Sequence, residues 1–153
     1  MILWRITRRI HAAAPLDGEG SRLYGSRWNH SGTPLASTST SLSLAALEYL
    51  VHVDPDNLPD DLVQIRVIVP DAIAPQVLNQ SGLPAPWRRY PAPDEVVRIG
   101  DDWLRRGESL LLRVPSAVIP EENNMLINPR HPDFREVRVD HTDDFCFDSR
   151  LIH

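Results

Sequence analysis

Hydrophobic residues recur at helical spacing in two segments of the chain. In residues 42–53 they stand at positions 44, 47, 50 and 51, with alanines at 45 and 46, and this spacing predicts an amphipathic helix. Ser41 or Ser43 can accept a hydrogen bond from a free amide of its first turn. Asp54-Pro55 then ends the helix, because the residue before a proline avoids helical backbone angles.

The second helix is predicted over residues 94–106. We expect Asp94 as its N-cap and Gly107 as its end, since glycine readily takes the left-handed conformation that closes a helix. The spacing of the large apolar residues predicts an inward face that contains Val97, Trp103 and Leu104.

Short apolar runs predict the strands. They lie at residues 2–6, 35–39, 62–69, 109–114, 136–139 and 145–147. Residues 21–29 lack a helical period and are predicted as an extended segment and loop, and the proline-rich residues 71–93 as a long ordered loop. Several short strands and two main helices, with no repeat or linker, predict a single α+β domain over residues 1–153.

The composition excludes several classes of function. All 16 basic residues are arginines, so a Schiff base on a lysine is excluded. The net charge of −5 argues against direct binding to a nucleic-acid backbone, which needs clustered cations. Cys146 is the single cysteine, so no disulfide within the chain and no cysteine zinc site is expected. With no long apolar run and arginines near the start, we expect a cytoplasmic protein without a membrane span.

Glu48 conflicts with the helical pattern around it. Positions 44, 48 and 51 share one stripe, and Leu44 and Val51 are expected to face the core, which puts Glu48 on or beside the buried face. A buried carboxylate is costly unless it is paired. Glu48 is therefore either a boundary residue that points to solvent or pairs with an arginine, or a carboxylate in a cleft that a ligand fills.

The segment Gly25-Ser26-Arg27-Trp28-Asn29 has the residue types of an anion site. Glycine lets the backbone approach a ligand, and arginine binds phosphate as a bidentate fork. The alternative is a surface arginine beside a core tryptophan. No Gly-x-Gly-x-x-Gly motif is present, and His131-x-Asp133 and His141-x-Asp143 lack a third histidine at ligand spacing, so neither a Rossmann site nor a metal site is expected.

Taken together, several motifs resemble the RES-domain family, and the resemblance covers nearly the whole chain. The matching segments are residues 25–29, Gly32-Thr33-Pro34, residues 44–48, 99–104, 112–120, 124–134 and 147–151. The resemblance implies an ADP-ribosyltransferase-like core of two packed β-sheets with flanking helices. It also implies the toxin of a bacterial toxin–antitoxin pair whose partner is an Xre-type antitoxin, with DNA bound only through that antitoxin.

The family's activity, as the resemblance implies it, is the consumption of NAD at the nicotinamide–ribose bond, by hydrolysis or by phosphorolysis. The alternatives are transfer of ADP-ribose to a host protein and a degenerate member that only binds its antitoxin. NAD is then a substrate, and no further cofactor and no metal is needed.

The family's Arg, Glu and Ser fall on Arg27, Glu48 and Ser116, which are the expected catalytic residues. Glu48 is expected to stabilise the cationic sugar, and Ser116 either bonds a ribose or phosphate oxygen or caps a turn. The expected NAD-contacting residues are Arg5, Arg27, Trp28, Ser37 and Asn128. Asn128 and His131 can instead fix their loop through bonds to the backbone.

One position departs from the family pattern. Ser37 stands where many members have a tyrosine that lines the nicotinamide pocket, so an aromatic platform is lost there. This departure leaves three consequences open. They are weaker NAD binding, an altered substrate, or replacement of that ring by Tyr24, Trp28 or another aromatic residue.

Overall fold

The computed structural model describes residues 1–152 of the chain. The strands in this range are β1 (Ile2–Arg8), β2 (Ala36–Ser39), β3 (Leu62–Ile68), β4 (Gln76–Val77), β5 (Leu111–Pro115), β6 (Asn123–Ile127) and β7 (Arg138–Asp144). The α-helices are α1 (Glu19–Tyr24), α2 (Leu42–Leu50) and α3 (Asp94–Arg106). Short 3₁₀ turns lie at Arg9–His11, Pro55–Asn57, Gln80–Gly82, Pro132–Glu136 and Ser149–Leu151.

The seven strands form one mixed sheet in the order β4-β5-β6-β2-β1-β3-β7. Strands β1 and β3 pair antiparallel along their full length, whereas the pairing of β1 with β2 consists of Trp4 opposite Ser39. Two groups of strands, β4-β5-β6-β2 and β1-β3-β7, therefore meet at one narrow bridge. The predicted α+β class is confirmed, and the two sheets that the resemblance implies correspond to these two groups, joined into a single sheet at that bridge.

Apolar side chains pack on both faces of the sheet. In β6, Met125 and Ile127 belong to one core and Leu126 to another, because successive residues of a strand point to opposite faces. The second core lies around α3 and contains Trp28, Trp87 and Trp103. A third, smaller cluster of Ile6, Ala45 and Leu62 holds α2 against the sheet. Each large side chain buried in these cores stabilises the fold by roughly 1.5–3 kcal/mol.

Helix α2 is as predicted at its start. Ser41 is the N-cap and its Oγ accepts a hydrogen bond from the Leu44 amide at 3.1 Å. Leu44 is fully buried, but Val51 is 57% exposed, so its predicted place in the core is wrong. Val51 lies after the last helical residue, and the stripe of residues 44, 48 and 51 does not extend that far. Glu48 is half-buried at the edge of the helix's inner face.

Helix α3 has the predicted bounds, and its predicted inward residues are buried. Its N-cap is Pro93 and not Asp94, which is the first helical residue and places its carboxylate in the first turn. Gly107 ends the helix in the left-handed conformation, with φ of 60°. Gly100 has a separate role, because a Cβ there would lie 1.7 Å from the Trp28 carbonyl oxygen. Only glycine lets α3 approach the Trp28 backbone this closely.

Residues 19–24 form a helix, so the predicted extended conformation is wrong for this part of residues 21–29. The helix is short and carries no apolar stripe. It begins where Asp17 Oδ1 accepts a hydrogen bond from the Glu19 amide at 3.0 Å, and an Arg22–Glu19 ion pair spans its first turn. A helix that is held by local hydrogen bonds and ion pairs needs no regular spacing of apolar residues, so its sequence shows no helical period.

The end of the chain forms one strand, β7, in place of the two predicted at residues 136–139 and 145–147. β7 is exposed along its length and pairs with β3. Phe145 and Phe147 follow it and pack on the α2 side, where the Phe147 ring stacks on Tyr49 at 6.3 Å. The spacing of these two aromatic residues is typical of a strand, but in the structure they are held in place by the packing of their side chains. Within the described residues, none of the helices has the length and apolar character needed to cross a membrane.

Candidate active site

A cleft of about 720 Å³ opens where the two strand groups separate beyond their bridge. Its walls come from β1, β2, α2, the segment 24–28 and the segment 90–92. Residues distant in sequence therefore meet in it, and Glu48, Arg27, Arg5, Trp28 and Ser37 all line it. The fold thus brings five of the sequence-predicted site residues together.

The Glu48 carboxylate is held by neutral donors. Its Oε1 accepts hydrogen bonds from Ser116 Oγ and from Asn124 Nδ2, both at 2.6 Å. Within the described residues, Oε2 receives no hydrogen bond and no cation lies within ion-pair distance of the carboxylate. One oxygen is therefore fixed, and the other is available to a ligand in the cleft.

Ser116 lies behind Glu48 and is fully buried. Its Oγ accepts hydrogen bonds from the amides of Val118 and Ile119, both at 3.0 Å, and donates its one hydrogen to Glu48. That hydrogen is engaged with Glu48 in this structure, and the expected bond from Ser116 to a ribose or phosphate oxygen stays a prediction. Ser116 caps the turn as expected, because its Oγ accepts the two amide hydrogen bonds. The turn holds the hydroxyl in place, and the hydroxyl in turn positions the Glu48 carboxylate.

Asn124 is a site residue that the sequence reasoning did not single out. Its Oδ1 accepts a hydrogen bond from Ser39 Oγ at 2.7 Å, and this bond directs Nδ2 toward Glu48. Both Asn124 and Ser39 are buried. The available signal was a polar residue directly before the apolar run Met125–Ile127. Its hydrogen-bond partner, Glu48, lies 76 positions away in sequence.

Arg27 spans from one wall of the cleft to another. Its Nη1 donates hydrogen bonds to the carbonyl oxygens of Trp87 at 2.8 Å and Arg89 at 3.0 Å. Burial lowers the pKa of Arg27, whereas the nearby Glu48 and Tyr90 raise it. The rest of the guanidinium faces the cleft as a cation near the carboxylate.

Arg5 brings a second guanidinium to the floor of the cleft. Its Nη1 donates to the Ser37 carbonyl oxygen at 2.7 Å, and its buried Nε has no hydrogen-bond partner within the described residues. Burial lowers the pKa of Arg5, and Asp17 raises it. The Ser37 side chain is itself exposed to the cleft. The unpartnered Nε is enclosed by the fold at a cost in free energy, and Arg5 is still one of the residues that line the cleft.

Asn128 is not among the residues that line the cleft, a placement that does not favour its predicted NAD contact, which stays a prediction. It is buried past the far end of β6, while Asn124 lies near the end that reaches the cleft. Its Oδ1 accepts a hydrogen bond from the Arg130 amide at 3.0 Å, which is the loop-fixing role weighed as the alternative. His131 likewise accepts a hydrogen bond from the Asp133 amide.

Aromatic rings form the mouth of the cleft. Tyr24 is 87% exposed and Tyr90 is 77% exposed, and both line the opening together with Tyr49 and His52. Trp28 lines it with one edge but is 95% buried in the core around α3. Exposed tyrosines at a cleft are available to stack on a ligand, which a packed tryptophan is not.

His30 ties the Arg27 segment to α3. Its Nδ1 meets the Asp101 carboxylate, its Nε2 lies 2.9 Å from Asp94 Oδ1, and its amide donates to Asp101 at 2.9 Å. The hydrogen bonds with Asp101 and then Asp94 raise the pKa of His30 above its ordinary value. The imidazole therefore joins two carboxylates on one helix to the segment that carries Arg27, and protonation strengthens that link.

Comparison with known proteins identifies the family and relatives with the same fold. The model of the RES domain matches residues 2–148. A protein named Toxin Res from Photorhabdus laumondii is 38% identical over 99% of this chain and 97% of its own length. A Prs ADP-ribosylating toxin from Sphingobium is 34% identical over 97% of this chain and 95% of its own length. In the M. tuberculosis MbcT–MbcA toxin–antitoxin complex, one chain shares the fold with a TM-score of 0.72 at 16% identity, over 94% of this chain and 83% of that one.

Proposed function

The chain belongs to the RES domain family, and from that premise we propose that it is the toxin of a toxin–antitoxin pair and consumes NAD by cleaving its nicotinamide–ribose bond. The relatives named Toxin Res support the first part of the proposal. The arrangement of charges in the cleft supports the second part.

The observation that carries the proposal is a carboxylate with one unbonded oxygen in the same cleft as two guanidiniums that have no carboxylate partner among the described residues. NAD has a pyrophosphate, which needs cations, and a ribose C1′ that becomes cationic as nicotinamide departs. Arg5 and Arg27 are suited to the pyrophosphate. The free Oε2 of Glu48 is suited to the sugar cation, because a fixed negative charge stabilises positive charge that develops in the transition state.

The reaction needs little more from the protein. The C1′–N bond breaks, both of its electrons move to the nicotinamide ring nitrogen, and the pyridinium leaves as a neutral base. Water or phosphate then forms the new bond to C1′, and with water the extra proton passes to solvent. A general acid is not required, so a single carboxylate suffices where most glycosidases use two.

A test of the proposal compares wild type with Glu48→Gln in an NAD depletion assay. Glutamine keeps an oxygen that Ser116 and Asn124 can bond but removes the charge, so we expect the rate to fall by at least about a hundredfold. The matched control is Glu95→Gln, an exposed glutamate in the first turn of α3, which should leave the rate unchanged. Wild type that leaves NAD intact, with and without phosphate, would count against the proposal.

Transfer of ADP-ribose to a host protein is a second candidate, favoured by the relative named Prs ADP-ribosylating toxin. Labelled NAD in a lysate separates the two outcomes. Label on a protein band indicates transfer, whereas free ADP-ribose or its phosphate indicates degradation. A degenerate member that only binds a partner is disfavoured by the hydrogen bonds that orient Glu48, since these serve no purpose in a dead site.

The proposed partner is an Xre-type antitoxin that covers the cleft, and DNA is contacted only through that antitoxin. The toxin–antitoxin complex that shares this fold supports a protein partner. The net charge of −5 supports the indirect route to DNA.

A further inference from the structure

Tyr90 presents an exposed ring on a backbone that is firmly held. Its side chain is 77% exposed at the mouth of the cleft. The neighbouring Trp87 is buried, and the carbonyl oxygens of Trp87 and Arg89 both accept hydrogen bonds from Arg27. Arg88 Nε also donates to the Ala117 carbonyl oxygen at 2.9 Å. The segment is therefore ordered, while the ring at its end remains open to a ligand.

The ring lies at the same end of the cleft as Glu48. The centroids of Tyr90 and His52 are 6.3 Å apart, and His52 follows Glu48 by four residues along the α2 side of the cleft. Arg27 is close enough to both groups for each to raise the pKa of its guanidinium. Tyr90 therefore lies next to the α2 side of the cleft, which is also the side that carries Glu48.

We infer that Tyr90 is a specificity residue that stacks on the pyridinium ring of NAD, an inference that rests on the proposed function. The nicotinamide of NAD carries a positive charge, and the face of a tyrosine ring attracts cations. Ser37, on the opposite wall, has no ring to offer. After the bond breaks, nicotinamide is neutral, so the attraction weakens and the product is released more readily.

This placement predicts an effect on binding more than on chemistry. Stacking and cation–π attraction act on the substrate before the bond breaks, so their loss should raise KM more than it lowers kcat. The adenosine half of NAD and the product ADP-ribose lack the pyridinium, so their binding should not depend on Tyr90.

The experiment measures binding by calorimetry in the Glu48→Gln protein, which keeps NAD intact during the titration. Tyr90→Ala is expected to weaken NAD binding about tenfold and to leave ADP-ribose binding within about twofold. Tyr90→Phe should bind NAD as tightly as Tyr90 does, and Tyr90→Leu, which keeps apolar bulk without an aromatic face, should resemble alanine. Tyr24→Ala is the comparison, since Tyr24 is an exposed tyrosine at the same mouth, and a loss of NAD affinity there equal to that of Tyr90→Ala would contradict a specific role for Tyr90.

The outcomes separate this inference from the proposed function. Equal losses for NAD and ADP-ribose, or full affinity for NAD in Tyr90→Leu, would overturn the role of Tyr90 and leave the proposed function intact. If the Glu48→Gln protein with Tyr90 intact binds neither nucleotide and wild type leaves NAD intact, both fail together.

Discussion

At the residue scale, the Glu48 carboxylate depends on a chain of neutral hydrogen bonds. Ser39 directs Asn124, and Asn124 and Ser116 together hold one oxygen of Glu48. Hydrogen bonds to neutral partners orient a carboxylate without cancelling its charge. An arginine in the same place would form an ion pair and weaken the field that the sugar cation needs. The site is thus arranged to hold the carboxylate in a fixed position by neutral donors, with no direct ion pair to it among the described residues.

The first prediction at this scale concerns Asn124→Ala. Loss of one charge-assisted hydrogen bond lets the carboxylate turn away, and we expect kcat for NAD consumption to fall roughly tenfold to a hundredfold with a smaller change in KM. Steady-state kinetics measure both constants. The control is Asn128→Ala, an equally buried asparagine at the other end of β6, which should lose stability but keep kcat. Equal losses of kcat in both variants would show that the network does not direct Glu48.

The sequence indicated which charged residues are candidates for the site better than it indicated the contacts between side chains. Glu48 and Arg27 stood out because an acid in an apolar helical stripe and an arginine beside glycines break local patterns, whereas Arg5 was proposed only from the family resemblance. Ser116 was identified by resemblance, but its contact with Glu48 was not. Contacts between side chains 68 and 76 positions apart follow from how the strands are ordered in the sheet, and no local pattern contains that order.

At the element scale, α3 depends on its close approach to the Trp28 segment. The helix bounds were predictable because a strong apolar period and Gly107 mark them. Gly100 gave no such signal, since a glycine inside a helix is merely unfavourable until its neighbour is known. In the structure the Trp28 carbonyl occupies the space that a Cβ would need, so Gly100 sets the distance between α3 and the segment that carries Arg27.

Gly100→Ala tests this contact. A Cβ 1.7 Å from the Trp28 oxygen forces α3 or the segment to move, and we expect a loss of at least about 1–3 kcal/mol in the free energy of unfolding. This loss opposes the gain of up to about 1 kcal/mol that alanine brings to a helix. Urea unfolding measures the difference. Gly20→Ala, in α1 with no atom within 4 Å of its added Cβ, is the control and should not be destabilising. A Gly100→Ala protein as stable as wild type would contradict the packing argument.

At the scale of the whole molecule, charge is distributed unevenly. Within the described residues, eight of the sixteen arginines pair with carboxylates: Arg8–Asp61, Arg9–Asp144, Arg22–Glu19, Arg66–Asp140, Arg98–Asp94, Arg105–Asp102, Arg135–Glu136 and Arg150–Asp148. In the part of the chain that the structure describes, Arg5 and Arg27 have backbone carbonyl partners instead. A protein with a net charge of −5 therefore brings two guanidiniums together in one cleft, where they can attract an anionic nucleotide.

The His30 clamp makes a prediction about the whole molecule's response to pH. Asp101 and Asp94 raise the pKa of His30 in the folded state, so the folded protein binds its proton more tightly than the unfolded chain does. This contribution to stability is complete below the ordinary histidine pKa of about 6.5. It is lost as pH rises above that value and through the raised pKa of the folded state. The clamp joins α3 to the segment 25–30, so the Arg27 wall of the cleft should loosen over the same range.

The measurement is the free energy of urea unfolding from pH 5.5 to 8.5 for wild type and His30→Gln. Glutamine keeps a hydrogen-bond donor but cannot become charged, so the difference between the two proteins should shrink as pH rises. The difference cancels the contributions of the other histidines, which both proteins share. Because the ion pairs are solvent-exposed, the effect should also shrink with added salt. A difference that stays constant across this pH range, or grows with pH, would mean that the imidazolium does not hold the Arg27 segment against α3.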